Sequence, residues 1–250
     1  MKPGRTLLLG GGALVLLLVD AALVLLSIQS SAPVSRPVPA PAPEQVFSQA
    51  SQSVAMVYAV EPTGRITGRG SGVFLERGVL LTNCHVIARG TTFLAGYRQK
   101  RSPARLVAYD ADRDLCALHV GGLDVVPARI GDAWSVQVGQ RVYAIGTPEG
   151  FELTLSEGVI SGLREAPAGR YLQTTAALSE GSSGGGLFDS EGRLIGIAAF
   201  VYSAGQSLNF AAPVNWAVGL ASRASGGAAS TESVELPPAL KKEWRPPLLK

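Results

Sequence analysis

The chain has 250 residues, 46% of them hydrophobic and 16% charged, with only 2 Cys and 2 His. That apolar fraction excludes a globally disordered chain, and two cysteines exclude both a disulfide-dense scaffold and a four-thiolate zinc site. The net charge of +3 sits in the ends, where Lys2 and Arg5 oppose Asp20, and Lys241, Lys242, Arg245 and Lys250 oppose Glu243; the near-neutral middle has no basic stripe with interleaved aromatics, so no nucleic-acid partner is expected.

Leu7 to Ile28 is apolar apart from Asp20, Ser27 and three glycines, long enough for the roughly 20 residues that cross a bilayer core. Asp20 costs about 3 kcal/mol near the centre, while the Leu, Val and Ile side chains return roughly 4–8 kcal/mol. Lys2 and Arg5 precede the run, and the next positive charge is Arg36. The positive-inside rule then puts the N-terminus in the cytoplasm and the rest outside. Residues 1–29 are therefore expected to be a single-pass anchor in the cytoplasmic (inner) membrane, with the remainder on the periplasmic side. The competing reading is a cleaved signal peptide, but its apolar region runs only about 7–15 residues and ends in a small-residue site absent here. Residues 30–44, proline-rich, read as a semi-rigid linker.

Residues 45–223 carry the globular part. A short helix is expected near Glu44 to Ala50. Beyond it come short β-rich runs broken by Gly, Pro, Asp and Asn: Val54–Val60, Gly72–Leu75, Val79–Thr82, Leu106–Tyr109, Leu115–Val120, Gln140–Ile145, Leu153–Ile160, Leu194–Val201 and Leu208–Ala211. This pattern predicts an all-β sandwich or barrel. Pro213–Ala224 is the best late helix, with proline at its start. Residues 224–250, rich in Gly, Ser, Ala and Pro, read as a flexible tail with a basic end.

The segment Glu180-Gly181-Ser182-Ser183-Gly184-Gly185-Gly186 is the most informative. A serine within dense glycine can expose its Oγ on a tight turn whose amides converge on one point; the plain alternative is a Gly-Ser hairpin loop. The string also fits the nucleophile elbow of α/β-hydrolases, but that order needs a histidine after the serine, and none follows His119. The subtilisin order needs an acid before the histidine, and the only Asp before His85 is Asp20, in the apolar run. The order His, Asp, Ser remains. His85 ends the strand-like run Val79 to Cys84. Among the acids that follow, Asp114 leads directly into the apolar run Leu115-Cys116-Ala117-Leu118, where a carboxylate can be desolvated and aimed at an imidazole. Asp110 and Asp112 read as turn residues, Asp124 and Asp132 as loop residues.

At this point the chain resembles trypsin-like serine proteases of the HtrA/Deg type. Gly70 to Phe74 with Leu81 to Ile87 resembles the histidine block, and Asp112 to Leu118 the aspartate block. Gly139 to Gly146 and Glu157 to Ser161 resemble second-barrel strands. Thr174 to Leu187, Gly192 to Ile197 and Asn209 to Val214 resemble the serine block and its sequel. The resemblance implies two six-stranded β-barrels with the site in the cleft between them. It implies a serine endopeptidase cutting unfolded or extended polypeptides, with Ser183 as nucleophile, His85 as base and Asp114 as its orienting acid. The amides of Gly181 and Ser183, with Ser182 between them, form the implied oxyanion hole. No metal or cofactor is implied, and a zinc site from Cys84, His85, Cys116 and His119 would consume the base. A non-catalytic peptide-binding module and an esterase are the competing functions.

Two departures stand out. Ser182 occupies the place where trypsin-like zymogens usually have Asp, so activation through an ion pair with a new N-terminus is not expected. Gly186 stands where proline is usual, which predicts a looser loop. By the resemblance, Ala177 would floor the pocket for the residue before the scissile bond (P1), with Leu178 next to it, and Ile197, Ala198, Ala199 and Phe200 would form the wall and the strand that pairs with substrate. With no acid at that floor, small or medium apolar P1 residues are expected. Family members usually carry PDZ domains after the protease, and the residues after Arg223 are too few for one. Many assemble as homo-oligomers, which this chain is open to. Because His85 and Asp114 must adjoin, Cys84 and Cys116 are expected to lie close beneath them, as a disulfide or as two buried thiols.

Overall fold

A computed structural model describes residues 40–147, 153–201, 207–227 and 235–236. The predicted anchor, most of the linker and most of the tail lie outside the described residues. Among the described residues no helix is long and apolar enough to cross a membrane.

Helix α1 (Pro43–Ala50) opens the described chain with proline in its first turn, so the last linker residues are helical rather than extended. It buries Val46 and Ala50 and passes through a 3₁₀ turn, Ser51–Ser53, into strand β1. Twelve strands follow: β1 (Val54–Val60), β2 (Ile66–Glu76), β3 (Val79–Asn83), β4 (Thr92–Tyr97), β5 (Lys100–Asp110), β6 (Leu115–Val120), β7 (Arg141–Gly146), β8 (Thr154–Ala166), β9 (Gly169–Thr174), β10 (Gly186–Asp189), β11 (Leu194–Val201) and β12 (Asn209–Pro213). A four-residue helix, α2 (Cys84–Ile87), follows β3, and helix α3 (Val214–Gly227) follows β12.

The strands close into two antiparallel barrels, in the orders β1-β2-β3-β6-β5-β4 and β10-β11-β12-β9-β8-β7. Closure removes the exposed edges that an open sheet would present. The first barrel is filled by Phe74, Leu80, Ile87, Leu106 and Leu118, all 2% exposed or less. Ile160, Tyr171, Phe188 and Ile197 of the second, all 1% or less, pack in one core with Val73, Leu81 and Leu115 of the first. Strand β3 is buried along its whole length, which is why its sequence shows no polar alternation.

The segment between the barrels is tied to both. Ala128 N–H donates to Phe74 O, and Gly131 N–H to Leu194 O, each at 2.8 Å. Helix α3 turns Val214, Ala217, Leu220 and Ala221 inward, the spacing of one helical face. It packs against β5 and β6 of the first barrel and β11 of the second. Asn215 fixes its start, accepting from Ala133 N–H at 3.0 Å and donating to Asp132 Oδ1 at 3.1 Å.

Candidate active site

His85 sits in α2, at the point where the buried strand β3 ends. Asp114 lies at the same end of the β3–β6 ladder, one residue before β6, because Asn83 pairs with Leu115. Asp114 has φ 55°, a left-handed conformation in which aspartate is enriched among non-glycine residues. Its main chain is held from two sides: Cys84 N–H and Asn83 Nδ2 both donate to Asp114 O, at 3.1 and 3.0 Å. Its carboxylate accepts His85 N–H on Oδ1 at 2.9 Å and meets His85 Nδ1 through Oδ2 at 2.5 Å. The Asp114 side chain is 0% exposed and that of His85 29%. A fully buried carboxylate with both oxygens committed to one histidine fixes the ring, and places the ring proton on Nδ1.

Cys84 and Cys116 are bonded to each other, directly behind this pair, and both are fully buried. His119 lies in β6, with its Nδ1 buried and unpartnered among the described residues.

Ser183 comes from the second barrel, in the turn before β10. Its hydroxyl lies 3.5 Å from Ala199 O, the outer limit of a hydrogen bond. Ser183 and His85 line one cavity of about 280 Å³, together with Leu178, Glu180, Ala198 and Phe200. The turn is held by its own main chain. Ser182 N–H donates to Ser179 O, Gly184 N–H to Ala198 O and Gly185 N–H to Ser182 O, at 2.8–2.9 Å. The amides of Gly181 and Ser183 have no such partner among the described residues. Ser182 therefore contributes no oxyanion donor: its amide is spent, and its Oγ accepts Ser179 N–H at 3.2 Å. Gly184, at φ 85°, could not carry a side chain, because a Cβ there would lie 2.1 Å from Ser71 O.

The predicted pocket residues divide. Leu178, Ala198, Ala199 and Phe200 line the cavity that holds Ser183. Ala177 does not floor it: this residue is exposed and lines an adjoining cavity of about 160 Å³, which shares Leu178 and Ala198 with the first. Ile197 lines neither. It is 0% exposed, packed in the core with Gly186 and Ala212 as its ladder partners. Sequence reasoning missed Glu180, the one acidic side chain lining the Ser183 cavity among the described residues. Its signal was its place three residues before Ser183. Gly186 also differs from expectation. It lies within β10, paired to Ile197 on one side and Ile145 on the other, and the space of a Cβ is filled by the Phe188 ring, 2.3 Å away. A side chain there would have to displace the Phe188 ring and the end of Leu194.

Two closed six-stranded barrels, with a His–Asp pair from one and a glycine-flanked serine from the other meeting in one cavity, define the double-barrel serine hydrolase class. Comparison with known proteins gives the family: the trypsin-like peptidase domain matches residues 70–197, and the chain belongs to it. Among curated relatives, Protease Do-like 1, chloroplastic, of Arabidopsis thaliana is 40% identical over 169 residues, 61% of this chain and 38% of that protein. Protease Do-like 5, chloroplastic, of the same plant is 32% identical over 213 residues, 69% of this chain and 66% of that one. A probable periplasmic serine endoprotease, DegP-like, of Hahella chejuensis is 34% identical over 158 residues, 60% and 34% of the two chains. The chain thus spans between 34% and 66% of the length of these relatives. Among solved structures, the serine endoprotease from Yersinia pestis superposes with TM-score 0.67 at 28% identity, covering 76% of this chain and 69% of that one. The HtrA-type protease AlgW with tripeptide gives TM-score 0.67 at 30% identity, covering 73% and 63%.

Proposed function

We propose that the protein is an HtrA/Deg-type serine endopeptidase that cuts extended polypeptides outside the cytoplasm, tethered through the apolar segment 7–28. The observation that carries the reading is the pairing of buried Asp114 with His85 in the same cavity as Ser183. Asp114 keeps the proton on His85 Nδ1, which leaves Nε2 as the base. Nε2 takes the Ser183 proton as Oγ attacks the peptide carbonyl, then returns it to the leaving amine. Water repeats the cycle on the acyl-enzyme. The unspent amides of Gly181 and Ser183 accept the charge that develops on the carbonyl oxygen, where one lost donor typically costs about 3–4 kcal/mol.

A peptide substrate is favoured over a small ester by β11. Beyond Ala198 this strand pairs with β12 on one side only, through Phe200 and Val201, and it borders the cavity on the other. An extended chain can add there as a further strand. AlgW has been solved with a tripeptide and with a decapeptide, which supports the same mode here. The walls Leu178, Ala198, Ala199 and Phe200 favour a small or medium apolar P1 residue. Periplasmic DegP-like relatives support an extracytoplasmic location.

The test is labelling of the full chain with a fluorophosphonate, with Ser183→Ala as control, followed by hydrolysis of a peptide panel varied at P1. Labelling lost in the control, with Val, Ala, Leu or Ile cut best, is the expected result. A folded protein that does not label refutes the peptidase; a preference for Arg refutes the pocket assignment.

A further inference from the structure

Ser71 belongs to β2 of the first barrel, yet most of its polar bonding is to the second. It is 0% exposed. Its amide donates to Ser183 O at 2.8 Å, and its hydroxyl donates to Gly181 O at 2.7 Å. The hydroxyl also accepts Thr147 N–H at 2.8 Å, and its carbonyl accepts the Thr82 hydroxyl at 2.7 Å. The Thr147 hydroxyl lies 3.1 Å from Ser71 Oγ and 3.3 Å from Gly70 O. Since the single hydroxyl hydrogen of Ser71 goes to Gly181 O, Thr147 is the donor in that contact, its one hydrogen shared between Ser71 Oγ and Gly70 O.

These bonds act on two peptide groups. The group joining Gly181 to Ser182 has its oxygen held by the Ser71 hydroxyl and its N–H held by Ser179 O at 2.9 Å. The group joining Ser183 to Gly184 has its oxygen held by the Ser71 amide and its N–H by Ala198 O at 2.8 Å. A peptide group is planar, so holding both polar atoms fixes its plane and with it the Cα of the residue before it. Those residues are Gly181 and Ser183, the two whose own amides are unspent. Gly181, at φ 90°, has no Cβ to restrict it, so it depends most on the external bond.

We infer that the Ser71 hydroxyl, backed by Thr147, is a positioning group for the oxyanion hole: it sets the direction of the Gly181 amide from the opposite barrel. The inference rests on the peptidase reading above. It distinguishes the side chain of Ser71 from its main chain, because Ser71→Ala keeps the bond to Ser183 O and removes the bond to Gly181 O. A misdirected donor harms the transition state and leaves ground-state peptide binding alone.

The experiment uses the full chain with and without Ser71→Ala. Three quantities are read on folded protein: kcat and KM for a cleaved peptide, affinity for a peptide boronic acid that forms a tetrahedral adduct on Ser183, and affinity for the same peptide in a Ser183→Ala background. The expected result is a kcat lower by about 10–100-fold, short of the full loss of one donor. Boronate affinity falls in parallel, and KM and ground-state affinity stay near those of the parent. If Ser71→Ala lacks a cooperative melt, Thr147→Val carries the test, with a smaller fall in kcat and boronate affinity at unchanged KM. Unchanged kcat and boronate affinity in the folded variant overturn the inference. So does an equal fall in kcat and ground-state binding, the mark of a staple that only holds the barrels together. A folded parent that neither cleaves nor labels overturns the peptidase reading and this inference together, whereas an active parent with an unaffected variant overturns the inference alone.

Discussion

Replacing both Cys84 and Cys116 by alanine tests what the disulfide does beside the His85–Asp114 pair. The bond spans 32 positions, and closing a loop of that length removes about 4 kcal/mol of unfolded-chain entropy. The native state does not need the bond to bring its ends together. Thr82 already pairs with Cys116, and Asn83 with Leu115, across β3 and β6. Nor does the Asp114 geometry pass through sulfur: its bonds come from Asn83 Nδ2, the Cys84 amide, and the amide and ring of His85. The bond should therefore act on stability and hardly on turnover. At the 2–4 °C per kcal/mol usual for this size, the melting temperature should fall by roughly 8–16 °C. Calorimetric melts of the oxidised parent and the double variant measure this, with peptide hydrolysis assayed well below both transitions. A fall of less than about 3 °C would refute the loop-entropy argument. A large loss of kcat at nearly unchanged stability would show instead that the bond holds the catalytic pair.

Gly186→Ala should destabilise by about 1–3 kcal/mol, as overpacking does, since its Cβ would lie 2.3 Å from the Phe188 ring; urea unfolding measures it, and stabilisation would refute the packing account. Tyr171 is fully buried, and its hydroxyl has no partner among the described residues, so Tyr171→Phe should raise stability at neutral pH by up to about 1–3 kcal/mol. The same residue links stability to alkaline pH. Burial first, and then the nearby Asp114 charge, push its pKa from 10.0 up to about 12. The unfolded chain then loses this proton before the folded one, so the contribution is intact below pH 10.0 and is lost as pH rises towards about 12. Urea midpoints at about pH 8 and about pH 11 should draw closer together in Tyr171→Phe than in the parent; an identical difference in both would refute the assignment.

Much of the architecture was legible in the chain. Val54–Val60, Leu115–Val120 and Leu194–Val201 are strands with the predicted bounds, because their apolar and β-branched runs end at turn residues. Thr92–Tyr97, Gly169–Thr174 and Gly186–Asp189 were not read as strands. The first contains Gly96, the second starts on glycine and arginine, and the third is four residues at the end of a glycine run. Their strand character comes from neighbours: β4 closes the first barrel against β1, and β10 is held between β7 and β11. Local propensity carries no trace of such pairing. The site divides in the same way. His85, Asp114 and Ser183 were reachable because two histidines leave so few chain orders. Ser71 and Thr147 were not, since a serine or threonine in an apolar run gives no sign of which distant carbonyl it will meet.

By itself, then, the sequence put forward His85, Asp114 and Ser183 as candidates and determined the all-β class, since both follow from residue type, order and local periodicity. Only the tertiary structure decided which groups are spent and which are left over. It committed both Asp114 oxygens to His85, used up the Ser182 amide while leaving those of Gly181 and Ser183 without a partner among the described residues, turned Ile197 into the core, and filled the space beside Gly186 with Phe188. Each of these outcomes depends on hydrogen bonds and packing between residues far apart in the chain. Those contacts exist only once both barrels have closed.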